Sequence, residues 1–531
     1  MDILSPFSSL SKCWHGIPRY TKIQFFSTLI IGLLVHLYMM TNCFVNHDSS
    51  MVNSYDKGWY DYLGRWFGTA VDMVTTSYVL IWANRMLGLV YISIAACLIG
   101  NCLKIRKTPL VLIFSALIVS FPTVACAFSY ANTADGFFVV VVMVSLAFFI
   151  ARRYKYGFLI GIIPMTLGMA SYQAYLGFFS GLMIASLIRD LLVGHEEAKA
   201  VFIKGLKYLV TFVGGLVCYV LSLNAITVPL NGYAGINELG GTTISNFFPR
   251  FVDSYSNLFA FFFKDTYKMH QTWMWFVNYK YLFAVAALCA VFLVIYVVIK
   301  RKIYSKKASL ILLLAMLALF VPAVNIVAIA SPGHLYIAMQ YSIILIFAMI
   351  MSIIEIAAET VEGISFNWQI RAVGLSVWAL IVIFCLTTIT YTLYTNKFYA
   401  KLDIVHQQGY AYSVSLMNRI QSDVDYIREK YIFLYGSPAP IYSVQQFKDM
   451  EGIYIEPFIP HWYTYSYYLY NHIGLENIIL DQLALQWYEY TDLESPEFKE
   501  MMSKKPSYPA VGSIFEFKAN GTNFIIVKFS D

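Results

Sequence analysis

Eleven predominantly apolar runs divide the first 393 residues of this chain and leave it few folds to choose from. They fall at 23–41, 78–100, 109–127, 136–151, 157–170, 174–192, 207–229, 281–299, 308–330, 335–357 and 371–392. A helical span takes about 20 mainly apolar residues. Inside lipid the backbone must satisfy its own hydrogen bonds, so such runs become helices. The pair at 157–192 is the weakest, because its members are short and joined by SYQAY. Hydrophobic residues make up 59% of the 531 residues and charged residues 13%, against about 45–50% and 25% in soluble domains. The expected fold is an all-α polytopic membrane protein of about eleven transmembrane helices.

Basic residues orient the spans, because Lys and Arg collect in cytoplasmic loops. Clusters stand at Lys12/Arg19/Lys22, Lys104/Arg106/Lys107, Arg152/Arg153/Lys155, Arg189/Lys199/Lys204/Lys207 and Lys300/Arg301/Lys302/Lys306/Lys307. Eleven spans with a cytoplasmic N-terminus put every cluster on the inner side of a cytoplasmic membrane. The loops 42–77 and 230–280 and everything after about 393 then lie outside. The first apolar run is full length after a polar, mildly basic start, as in a retained signal anchor. The formal charge of +6 is spent on topology and gives no reason to expect a nucleic-acid partner.

Residues 394–531 read as a separate extracytoplasmic domain, against 1–393 for the membrane domain. The stretch LDIVHQQGYAYSVSLMNRIQSDV is amphipathic and helical in pattern, and YIFLYGS, NIILDQ, SIFEFKA and FIIVKFS are strand-like. Gly, Pro and Asn bound them, which predicts a small α/β domain.

The first outer loop carries Asp48, Asp56, Asp61, Arg65 and Asp72 between two spans. Acids beside a bilayer are costly unless solvated or used. Asn46-His47-Asp48 follows the membrane exit, and the segment from Trp59 to Phe67 reads as an aromatic interfacial helix. Transfer of a sugar from a lipid phosphate needs a base for the acceptor hydroxyl and a cation for the departing phosphate. This loop offers both. A merely solvated loop would show the same residues. Arg85, inside the second span beside Asn84, suits a donor phosphate. It suits equally an ion pair with Asp72, or snorkelling to the interface. Tyr172 and Gln173 in SYQAYLGFF suit a sugar or an ordinary aromatic belt. The long loop 230–280 is expected to cover the cavity.

Other chemistries lack their motifs. No GxxxxGK[ST], HExxH or CxxC occurs, and no GxGxxG opens a helix after a strand. The eight Cys show no metal spacing. The triplet Asp423-Val424-Asp425 lies on an amphipathic helical stretch with no nucleotide fold around it.

With these residues the chain resembles the glucosyltransferase II family of bacterial membrane enzymes, which decorate O-antigen and related surface glycans and convert serotype. The resemblance rests on Asn46-His47-Asp48, Gly64-Arg65-Trp66, the SYQAYLGFF turn and the plan of spans. It covers most of the membrane region and is weak in the tail. It implies a multi-spanning GT-C fold and an inverting displacement from a polyprenyl-phosphate-glucose donor. It also implies partner proteins that make and flip that donor. The acceptor is a surface polysaccharide or lipid-linked glycan. The donor is a substrate, and neither a cofactor nor a metal is expected.

Many relatives carry two adjacent acids where this chain has His47-Asp48. Asp48 is therefore taken alone as the base, with Asp56 or Asp61 as possible substitutes. Arg65 and Arg85 are the expected phosphate ligands. His47, Trp59, Tyr172 and Gln173 are expected to support the site or touch sugars. A polysaccharide polymerase, a lipid-linked-glycan flippase or transporter, and a membrane scaffold are the rival readings.

Overall fold

The computed structural model describes residues 11–12, 14–42, 46, 49, 59–75, 81–131, 133–225, 244–264, 279–331, 335–361, 368–424, 426–436, 465–480 and 491–530. The chain divides into two compact units. One gathers Met1–Thr41, Lys57–Phe128 and Thr133–Asn396, and the other gathers Asn42–Asp56, Ser129–Asn132 and Lys397–Asp531.

The first unit is an all-helical membrane protein. Its long helices are α1 (Arg19–Thr41), α4 (Ile81–Leu103), α7 (Ala134–Arg153), α10 (Gly177–Val193), α11 (Ala198–Leu223), α13 (Tyr279–Lys300), α14 (Lys307–Val324) and α16 (Ile344–Val361). The last helix, α17, runs from Trp368 to Asp423. Among the described residues nine helices are long and apolar enough to cross a membrane. The third apolar run forms a bent pair, α5 (Thr108–Ser120) and α6 (Pro122–Ser129), with a 40° break. Proline disfavours helical geometry in the residue before it, and Phe121 is extended, with ψ 133°.

The fifth run forms two short helices, α8 (Gly157–Ile160) and α9 (Ile162–Met169). At 1.5 Å per residue these cover roughly 20 Å, less than the hydrocarbon thickness. They nevertheless climb along α7 from one end to the other. Gly157 sits so close to α7 that a methyl group there would lie 1.9 Å from the Ile150 carbonyl oxygen. Gly168 faces Val144, and the Tyr172 ring meets that of Phe137 at 4.9 Å. The short segment therefore returns the chain to the end of the bundle where the first loop begins. Small residues let the backbones approach: Gly214 and Gly215 of α11 lie against Ile162 and Met165 of α9.

One end of the bundle collects the basic loops. The Glu355 carboxylate accepts the backbone N–H groups of Arg106 and Lys107 at 2.8 and 2.6 Å. Arg152 holds Asp190 through two hydrogen bonds, 2.8 and 3.2 Å. Arg301 donates to the Val193 carbonyl at 2.8 Å, and Tyr20 donates to Asn101 at 3.0 Å.

The loop between α11 and α13 contains a helix that the sequence reading passed over. It is α12 (Ile244–Phe263), with Phe247, Phe248 and Phe259 exposed on it. The last apolar run and the amphipathic stretch after it are likewise one helix, α17, of 56 residues. No proline interrupts Trp368–Asp423, so the change from apolar to amphipathic pattern passes without a break.

In the second unit all four strand-like runs form strands. They are β1 (Tyr431–Tyr435), β2 (Ile478–Leu480), β3 (Ile514–Ala519) and β4 (Thr522–Lys528), in the order β2-β1-β4-β3. β1 is parallel to β2 and β4, and β3–β4 is an antiparallel hairpin. The hairpin turn is Asn520-Gly521, with φ +48° and +81°, the pair of left-handed residues that a tight hairpin favours. Alternation along the strands gives two cores. Ile432, Leu434, Ile525 and Val527 face Leu416, Ile420, Tyr465 and Tyr468. Phe433, Phe524 and Ile526 face Phe498 and Met502, which belong to α19 (Pro496–Lys504). Between β1 and β2 lies the four-residue α18 (Tyr465–Tyr468).

Candidate active site

The sequence GlyArgTrp at 64–66 is a helix stop that aims a cation. The short helix α2 (Trp59–Tyr62) ends where Gly64 takes φ +68°. The Gly64 N–H then donates to Asp61 O at 2.9 Å and the Arg65 N–H to Tyr60 O at 2.8 Å. This is the Schellman closure, and glycine enters its left-handed position without steric cost. Trp66 opens α3 (Trp66–Thr75) and anchors it by donating from Nε1 to Ser222 Oγ at 2.9 Å. The Phe67 and Gly68 amides both donate to Ala170 O, at 2.9 and 3.3 Å.

Between those anchors Arg65 lies over the Tyr172 ring. Its Nε is buried without a hydrogen-bond partner, and no hydrogen bond or ion pair from its guanidinium occurs among the described residues. Around it, Gln173 Nε2 donates to Tyr219 Oη at 2.7 Å, and that hydroxyl donates to Gly64 O at 3.1 Å. Asp61 accepts the Thr69 hydroxyl at 2.9 Å. The structure thus brings Asp61, Arg65, Tyr172 and Gln173 to one end of the first unit. Trp59 begins α2. Tyr219, Ser222, Thr69 and Ala170 complete the frame and were missed. Their only signal was a Tyr and a Ser near the end of an apolar run, which any interfacial belt supplies.

Arg85 is placed differently. It is fully buried, donating from Nε to Phe128 O at 3.0 Å and from Nη1 to Met39 O. Those carbonyls belong to the last turns of α6 and α1, which have no intrahelical donor. A guanidinium there caps two helix C-termini and is favoured by their negative ends. His36 of α1 reaches Val119 O at 2.8 Å close by.

His47, Asp48 and Asp56 lie outside the described residues, but Asn46 and Ser49, on either side of His47-Asp48, are described. The Asn46 N–H donates to Ser129 O at 3.0 Å. Asn46 Oδ1 accepts the Ser49 N–H and hydroxyl, each at 3.1 Å. Ser49 Oγ in turn accepts the Ala131 N–H at 2.8 Å. The residues on either side of His47-Asp48 are therefore tied to residues 129–131. Asn46 is fully buried and its Nδ2 has no partner. Among the described residues no group of three His, Cys, Asp or Glu is placed to hold a metal ion.

The profile of the glucosyl transferase GtrII family matches residues 37–347. This chain belongs to the GtrII glucosyltransferase family. The match takes in the first loop, the SYQAYLGFF turn and Tyr219, and it stops before most of α16, α17 and residues 397–531 of the second unit. No curated protein and no solved structure matches the chain. The protein is accordingly a membrane glycosyltransferase, and glucosyl transfer in surface-glycan modification is its family's work.

Proposed function

We propose that this glucosyltransferase takes its sugar from a polyprenyl-phosphate glucose and gives it to a surface polysaccharide or lipid-linked glycan. The reaction is a single inverting displacement. The acceptor oxygen attacks the anomeric carbon, its proton passes to Asp48, and the bond from that carbon to the phosphate oxygen breaks. The polyprenyl phosphate leaves with its negative charge held by Arg65. The observation that carries this reading is the unpartnered Nε of Arg65. A half-buried guanidinium with no ion pair among the described residues is a site for a phosphate oxygen, and its planar fork suits one. Tyr172, Gln173 and Tyr219 offer the donor sugar a ring face and polar edges.

Asp61 is the second reading for the base. It belongs to the same turn and the same unit as Arg65, with its carboxylate held by Thr69. Arg85 serves by fixing the exits of α1 and α6 rather than by touching the phosphate. The basic end of the bundle faces the cytoplasm and the Arg65 end the outer side of the cytoplasmic membrane. No metal is needed, because a monophosphate leaving group is neutralised by protein cations.

The test uses purified protein in nanodiscs with acceptor and either polyprenyl-phosphate glucose or a nucleotide glucose, with and without chelator. Turnover is expected with the lipid donor alone and unchanged by chelation. Direct use of the nucleotide sugar would overturn the donor assignment. Activity lost on chelation and restored by magnesium or manganese would turn the first-loop acids into metal ligands.

A further inference from the structure

The basic end of the bundle holds more positive charge than its own acids neutralise. There α4, α7 and α10 pack against one another. Lys104 follows the last residue of α4 in the left-handed region, φ +57°, fixed by the Ile105 N–H donating to Gly100 O at 2.9 Å. Among the described residues, the charged groups whose fields reach Lys104 are Arg106, Arg152 and Arg189, all cations. Burial and then these three guanidiniums hold its pKa below the usual lysine value. Arg189 faces Arg152, Asp190, Glu359 and Arg106. Its Nε is buried without a partner, and it forms no ion pair among the described residues.

Among the described residues, each acid beside these cations is already engaged. Asp190 is held by Arg152 at 2.8 Å and approached by Lys204 at 3.5 Å. Glu359 pairs with Arg301 at 3.7 Å, and Glu355 takes the two amides of the Arg106 loop. Like charges gathered this way repel unless an anion joins them.

We propose that Lys104 and Arg189, flanked by Arg106 and Arg152, receive a phosphate group, supplied by the headgroup of an anionic membrane lipid. The Arg189 Nε and the Lys104 ammonium provide the donors. Basic pockets between helix ends stand where headgroup phosphates lie, which favours a lipid over a soluble phosphate. This site is at the opposite end of the bundle from Arg65 and stands independently of the donor assignment.

The experiment is native mass spectrometry of the full-length protein, released from nanodiscs holding phosphatidylglycerol, phosphatidylcholine or both. A parallel arm titrates inorganic phosphate into delipidated protein. Phosphatidylglycerol is expected to be retained in preference. Lys104→Gln and Arg189→Gln should each lower retention about fivefold, the size of one cation's attraction to an anionic headgroup. Lys499→Gln, in the second unit, removes the same charge and should change nothing. Arg189→Lys serves if Arg189→Gln fails to fold. Equal retention of both lipids, or retention untouched by the Lys104 and Arg189 variants, would overturn the proposal. Inorganic phosphate binding with the same variant sensitivity, together with equal retention of both lipids, would overturn the lipid headgroup as the occupant.

Discussion

The guanidinium carbon of Arg65 stands 4.9 Å from the centre of the Tyr172 ring. A cation over an aromatic face contributes about 0.5–1 kcal/mol at an exposed site. Arg65→Ala should therefore cost little stability and much activity. Glucosyl transfer should fall by about 10²-fold or more, the range for losing one charge-stabilising donor. Arg65→Lys should retain more, since it keeps the charge and loses the fork. Thermal melting alongside a transfer assay checks both. A variant that melts like the parent and still transfers at the parental rate would remove Arg65 from the mechanism.

Asp48→Asn keeps the side-chain shape and abolishes proton acceptance. Transfer should drop about 10²–10⁴-fold while the protein still inserts. If Asp48→Asn is active and Asp61→Asn is not, the base is Asp61, in the same turn as Arg65.

Arg85→Met should behave oppositely to Arg65→Ala. It strips charged donors from the Phe128 and Met39 carbonyls, each such bond being worth about 1.5–3 kcal/mol. The melting temperature in detergent should fall sharply. Transfer per folded molecule should change less than in Arg65→Ala. A variant of normal stability with a raised KM for the lipid donor would instead put Arg85 on the phosphate.

Orientation is checked with single cysteines in a background without native Cys. Lys302→Cys should be shielded from an impermeant thiol reagent in intact cells. Asn257→Cys and Pro506→Cys should be labelled. Protection at Pro506 would mean that the chain crosses an even number of times. The segment 157–169 is the one to re-examine first.

His472 gives the second unit a pH dependence. It lies in the π-turn Leu469–Ile473, with its ring 4.5 Å from Tyr468 and 5.5 Å from His406. Burial, and then the neighbouring His406, lower its pKa from 6.5 to about 4. The fold thus prefers the neutral imidazole. Stability is fully present above the unfolded value of 6.5, declines as pH falls toward 4 and levels off below it. Protection factors of the β1 amides in the full-length protein, which are corrected for the intrinsic pH dependence of exchange, should fall between pH 7 and pH 5. His472→Phe should flatten that response. An unchanged slope in the variant would assign it to other groups.

The spans were legible because lipid demands an apolar run of fixed length, and the strands because alternation and Asn520-Gly521 are local signals. The sequence reading ends the last span near 393 because a change from apolar to amphipathic pattern looks like a boundary, although α17 runs on without a break. The GlyArgTrp motif was visible as a loop feature, yet its sense depends on φ at Gly64 and on Tyr219, which lies 155 residues away. Arg85 stands out in the sequence as a cation inside a span, but its bonds to the Phe128 and Met39 carbonyls are ones that no side-chain pattern announces.

The clasp of Glu355 on the Arg106 and Lys107 amides joins residues 249 and 248 positions apart. It has company: Ser352 bonds Leu103 O, Tyr341 bonds Ile118 O, and Thr123 bonds Ile337 O, across 249, 223 and 214 positions. Translation proceeds at about 5–20 residues per second, so the early partners wait on the order of 10–50 s for the late ones. During that interval the Pro122 break is without its native partners from residues 337–341. Chains truncated before Tyr341 should be degraded faster than chains that end after Val361, as pulse-chase would record. Biogenesis of this enzyme is thus a matter of timing: its third span is among the first to enter the membrane and among the last to be finished.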